Sequence, residues 1–164
     1  MNSIEIYISN YKDAMSTAQR TIYAGLIISI FSHFYALGYM PSEKYTIPLL
    51  GIEMTKNAIS IYGLSILYLY TAVHCLFFTC LAESNFNKIT CLDIRDAMLL
   101  YPSILMGNIY YQCFLGAILL SIWYGIFKNA GLVPSLWLSV AIGTVISSPY
   151  FISLKIGSNL RSLS

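Results

Sequence analysis

Residues 57–82 read NAISIYGLSILYLYTAVHCLFFTCLA, and no Asp, Glu, Lys or Arg interrupts them. A helix needs roughly 20 mainly apolar residues to cross a bilayer, so these 26 residues are enough for one crossing. They form a continuous apolar run with no period-two alternation, which excludes a strand of a transmembrane barrel. Three similar stretches flank this one: 21–42, 97–127 and 129–154 are equally uncharged. Together the four hold 105 of the 164 residues.

All 16 charged residues therefore crowd into the remaining 59, a density of about 27%. That is close to the ~25% of soluble domains. The chain thus interleaves two environments. This sorting excludes a soluble enzyme, a DNA-binding domain and a disordered tail.

Backbone groups in lipid must be satisfied within the chain, and helices do this alone. The expected fold is an all-α polytopic membrane protein. Its membrane domain, 21–154, holds four spans near 21–40, 59–82, 103–127 and 132–152. Residues 1–20 precede it as an amphipathic helix, and 155–164 follow as a tail. The 21–40 span is not a cleaved signal peptide, because 20 residues containing Glu5 and Asp13 come before it.

Lys and Arg counts set orientation. Lys12, Arg20, Lys88, Arg95, Lys155 and Arg161 fall on one side, and Lys44, Lys56 and Lys128 on the other. Six against three places both termini in the cytoplasm. Trp123, Tyr124 and Trp137 flank the turn at Lys128 as interface anchors, with Tyr35, Tyr39 and Tyr45 at the same outer level.

Within 2–20, Ile4, Tyr7, Ile8, Tyr11, Met15, Ala18 and Ile22 recur at helical spacing. Asn2 and Glu5 resemble a capping box. Such a helix lies on the membrane surface, extends the first span, or docks another subunit. In the 41–57 connection, Ile47-Pro48-Leu49-Leu50-Gly51-Ile52 is too apolar for a free aqueous loop. It is expected to pack on the helix ends or dip into the interface, or to act as a lid or sensor surface. In 83–101, Asp93 and Asp96 suit a helix start, and Met98, Leu99 and Leu100 would follow along the membrane surface. Pro102 fits the first turn of the next helix. The candidate contacts for a cytoplasmic protein subunit are Tyr7, Tyr11, Lys12, Lys88, Asp93, Arg95 and Asp96.

No catalytic set emerges. The chain lacks a nucleophile elbow, HExxH, P-loop and GxGxxG motif, and every carboxylate lies outside the spans, where no dry acid–base pair can form. Cys75, Cys80, Cys91 and Cys113 show no zinc spacing and read as free thiols. No metal or cofactor is expected, and the few basic residues leave no nucleic-acid footprint. His33 and His74 are the strongest intramembrane ionisable candidates. They would suit a b-type haem, but their depths differ by roughly 7 Å at ~1.5 Å per residue. Neutral imidazoles bonded across helices are the simpler reading.

Helix packing carries the clearest pattern. Ser135, Ser139, Gly143 and Ser147 form an every-fourth-residue ladder of small side chains. Gly25, Ser29, Ser32 and Ala36 form a second stripe, and Gly107, Asn108, Gln112 and Gly116 share the third span. These faces suit packing within the chain or a homo-oligomer, and Asn108 with Gln112 could line a pore.

The expected function is non-enzymatic: a membrane anchor or sensor acting through a partner, with lipid as its surroundings. A pore-forming or depolarising effector, a bacteriocin immunity protein and a haem- or quinone-binding anchor are the alternatives. The four-span layout, the size and the Ile-, Tyr-, Asn- and Ser-rich usage resemble the small membrane subunit of the Kiwa bacterial anti-phage defence system; the resemblance is one of layout and rests on no diagnostic motif, the segment Ile47-Pro48-Leu49-Leu50-Gly51 included. That resemblance implies an inner-membrane protein working with a larger cytoplasmic, DNA-binding partner. It carries over no functional residue.

Overall fold

The computed structural model describes residues 3–39, 44–46, 53–55, 58–128, 131 and 133–162. Five helices dominate it: α1 (Ser3–Ala36), α2 (Ala58–Asn87), α3 (Leu92–Leu99), α4 (Ile109–Ile122) and α5 (Leu136–Arg161). A two-stranded antiparallel ribbon, β1 (Lys44–Thr46) and β2 (Glu53–Thr55), joins α1 to α2 with Tyr45 opposite Met54. Residues 47–52, to which the lid or sensor reading applied, lie outside the described residues, as does Asn2 of the expected capping box.

Tyr62–Asn87, Ile109–Lys128 and Leu136–Arg161 are long and apolar enough to cross a membrane. The first expected span differs. Its helix ends at Ala36, so its uncharged helical stretch, 21–36, is shorter than the 21–40 expected. Residues 3–20 are not a separate surface helix either: α1 runs unbroken through position 20. The apolar stripe accounts for this. Tyr11, Met15, Ala18 and Ile22 are fully buried inside the chain rather than laid on lipid.

The helices alternate in direction. Tyr11 of α1 meets Phe86 of α2, and Thr21 meets His74. Gln112 of α4 reaches Leu154 of α5, while Ser147 reaches Leu119. The main interfaces join α1 to α2, α2 to α5, α5 to α4 and α4 to α1. This closes a four-helix arrangement around one core that includes Tyr68, Leu119 and Tyr150.

The third expected span starts later than position 103. Ile104–Met106 make a 3₁₀ turn, and Pro102 lies outside any helix. Ser103 caps that turn, its hydroxyl accepting from the Leu105 N–H. Asn108 then caps α4, its Oδ1 accepting from the Tyr111 N–H at 2.9 Å. Close packing holds the break in place. Gly157 of α5 lies so near the Leu105 backbone that a Cβ there would collide with it. At its other end α4 widens into a π-helical turn, Trp123–Lys128.

In α5, Pro149 lacks the N–H that would bond the Val145 carbonyl. Ser148 Oγ donates to that carbonyl instead, at 2.8 Å. The expected tail also changes status: α5 continues helical through Arg161.

Candidate functional site: a closed middle and a charged end

The small-residue ladder divides at its first member. Ser135 is exposed and caps α5, accepting from the Leu138 N–H at 3.1 Å. Ser139, Gly143 and Ser147 are buried within the chain. Gly25, on the second stripe, faces Tyr150, whose ring occupies the space a Cβ would need. The homo-oligomer and pore readings drew on these faces and on Asn108 and Gln112. Gln112 is buried, and its Nε2 donates to the carbonyls of Leu105, Gly107 and Leu154 at 3.2–3.4 Å. Gly107 shapes the turn before Asn108, and Asn108 is exposed as the α4 cap.

The middle of the bundle contains a hydroxyl network whose members the small-residue pattern only partly marked. Tyr68 OH donates to the Leu119 carbonyl at 2.8 Å and lies 3.1 Å from Ser147 Oγ. Ser29 Oγ donates to the Ile118 carbonyl at 2.7 Å and lies 3.1 Å from Ser121 Oγ. Tyr150 OH donates to Thr71 Oγ1 at 2.7 Å, and Thr71 donates to the Tyr68 carbonyl. Hydroxyls from α1, α2 and α5 thus converge on α4 just before its π-helical turn. Tyr68 and Tyr150 could have been found from sequence, since a tyrosine hydroxyl amid apolar residues requires a partner. The identity of that partner could not.

His74 Nδ1 lies 3.4 Å from Thr21 Oγ1, between Tyr70 and Phe78. His33 lies twelve residues beyond Thr21 on α1, or about 18 Å along a helix. The two imidazoles cannot ligate one haem. Cys75 is buried with its thiol toward the Ala18 carbonyl, while Cys80, Cys91 and Cys113 are exposed and free. Among the described residues, no three His, Cys, Asp or Glu side chains converge to hold a metal.

The candidate partner contacts gather at one end of the bundle. Tyr11 is buried there, its ring 5.9 Å from Phe86 and its hydroxyl on Met106 Sδ at 3.7 Å. Burial pushes its phenol up to about 12, with Tyr101 adding to the rise. Arg95 stacks 4.6 Å over the opposite partner, Phe86, and Lys88 lies 5.3 Å over the Tyr7 ring. Arg161 Nη1 donates to the Met106 carbonyl at 3.3 Å. These contacts clip α3 onto α2 and join α1 and the end of α5 through the 3₁₀ turn at Met106.

Lys12, Asp93 and Asp96 stay exposed at this end. So do two large apolar side chains, Leu100 at 83% and Leu92 at 70%, the second of which the sequence pattern did not single out. Met98 is buried and Leu99 half-buried, so the expected run along the membrane surface breaks up. At the other end Lys128 and Trp137 are exposed and Tyr35 is buried, while the side chains of Trp123, Tyr124 and Tyr45 lie outside the described set.

Comparison with protein-family models, curated proteins and solved structures found no match.

Proposed function

We propose that the chain is a multi-pass anchor of a bacterial inner membrane. In this reading α1 crosses beside the three apolar helices. Both termini lie in the cytoplasm, and the charged end holds a cytoplasmic protein subunit. The observation that carries the reading is the exposed face of α3. Leu92 and Asp96 of α3 and Leu100, which caps its C-terminus in helical conformation, follow one another at four-residue steps, so a carboxylate sits between two leucines on one face. Such a face suits lipid poorly, because the cytoplasmic leaflet is anionic and repels Asp96. It suits a protein that offers apolar pockets beside a basic side chain. The resemblance to the membrane subunit of the Kiwa system supports the same arrangement. The proposed role is antiviral defence by anchoring or sensing, without catalysis by this chain.

Gln112 lends a pore no support, since its amide is held by three backbone carbonyls of its own chain. Affinity capture from source cells in mild detergent tests the proposal. The wild type should retain a stoichiometric soluble companion, and a Leu92→Glu, Asp96→Lys, Leu100→Glu variant should reach the membrane but lose it. Equal recovery of the companion by both chains contradicts the role of α3.

A further inference from the structure

An open groove of about 640 Å³ runs between α4 and α5 on the outside of the bundle, within the usual range of ligand sites. Its origin is local. Gly116 has no side chain, so the Phe151 ring sits close against the α4 backbone; an added Cβ would lie 3.2 Å from the ring. The two helices approach there and leave a channel beside the contact. Cys113, Ala117 and Leu120 line its apolar length with Phe151. At the charged end of the bundle the lining changes to Lys155, Ser158 and Asn159. These three occupy i, i+3 and i+4 on α5 and share a face.

Two dimensions identify the occupant. From Ile109 to Leu120 the groove spans eleven helical steps, about 16 Å. That is about half of the ~30 Å hydrocarbon core, or one leaflet. Its polar end carries one cation and two hydrogen-bonding side chains, and its remainder is apolar apart from Gln112, whose amide nitrogen is engaged by backbone carbonyls. We infer that this groove binds one anionic phospholipid, its phosphate at Lys155, Ser158 and Asn159 and an acyl chain along Cys113, Ala117 and Leu120. The assignment rests on α4 and α5 being membrane-embedded. The preference for negative charge comes from Lys155; the apolar channel accepts any lipid tail.

Native mass spectrometry of the full chain in mild detergent tests the site, with phosphatidylglycerol and phosphatidylcholine supplied in equal amounts. The wild type should retain one phosphatidylglycerol in preference to phosphatidylcholine. Lys155→Gln should lower that preference by about fivefold, the effect of one cation at an anionic lipid. Ala117→Trp fills the channel from an exposed position and should reduce retention of both lipids. Cys113 gives a readout that needs no change in the groove. In a Cys80→Ser chain, a membrane-permeant maleimide should label Cys113 more slowly in nanodiscs containing phosphatidylglycerol than in phosphatidylcholine alone, while Cys91 labelling stays constant. Equal retention of the two lipids by the wild type, or a Lys155→Gln preference matching it, overturns the site. A chain that stays soluble without detergent would instead refute the membrane reading beneath it.

Discussion

Around Leu119, hydroxyls from three helices find partners inside the chain; around α3, two leucines and a carboxylate are left exposed on one face. Both regions rest on tyrosine and on tight packing, yet they solve different problems. In the middle, an unsatisfied polar group in lipid would cost several kcal/mol, by the ~4–8 kcal/mol scale of apolar transfer. Each hydroxyl named there is answered by a carbonyl or another hydroxyl. At the charged end water can satisfy polar groups, so exposed ones cost little. The apolar groups left beside them are then the informative feature. The contrast separates residues that hold the bundle together from residues available to a partner.

Substitutions should respect that division. Gly157→Leu places a side chain into the Leu105 backbone, which cannot move without shifting the break before α4. It should cost about 3 kcal/mol or more, read as lost yield and a lower unfolding midpoint in mild detergent. A midpoint near that of the wild type would mean that α5 and the 3₁₀ turn are not in contact. Tyr68→Phe deletes the donor to the Leu119 carbonyl and should lower stability by about 1 kcal/mol. No change in the same scan would break the distinction between a satisfied middle and an open end.

The α3 variant used for partner capture provides the opposite arm. Its three positions are exposed, so bundle stability should change by no more than about 0.5 kcal/mol. A collapse of the fold would place α3 with the structural elements.

The smallest effect comes from Tyr11. Burial raises its pKa above the usual tyrosine value, so the folded chain favours the neutral phenol. Its contribution is constant below pH 10 and declines as pH rises from about 10 toward about 12. Tyr11→Phe should remove that part of the alkaline decline. Coincident midpoint-versus-pH curves for the two chains would argue against burial of this phenol.

Charge spacing made the apolar helices legible, because position along the chain alone decides which residues can sit in lipid. Periodicity also marked the buried stripe of α1, since Tyr11, Met15, Ala18 and Ile22 return at helical steps. It could not say what covers that stripe. A stripe reports burial, whereas Phe86 and Met106 are brought to it by contacts 75 and 95 residues away in sequence. The late start of α4 was hidden for the same reason. Nothing between Pro102 and Asn108 signals that Gly157 admits the Leu105 carbonyl. At the charged end, Lys12, Asp93 and Asp96 stood out as polar residues, but Leu92 and Leu100 became informative only once Met98 was seen to be buried.

For the charged end to hold a cytoplasmic partner, the N-terminal half of α1 and the connection before α3 must share one side of the membrane. Single-cysteine chains read this directly: Ser3→Cys, the native Cys91, and Lys128→Cys, each with the other cysteines replaced by serine. They are probed in intact cells with a membrane-impermeant maleimide. With α1 as a fourth crossing, Lys128→Cys should label from outside, while Ser3→Cys and Cys91 should label only after the inner membrane is opened. Labelling of Ser3→Cys from outside with Cys91 protected would leave three crossings, separate the two halves of the charged end, and contradict the account.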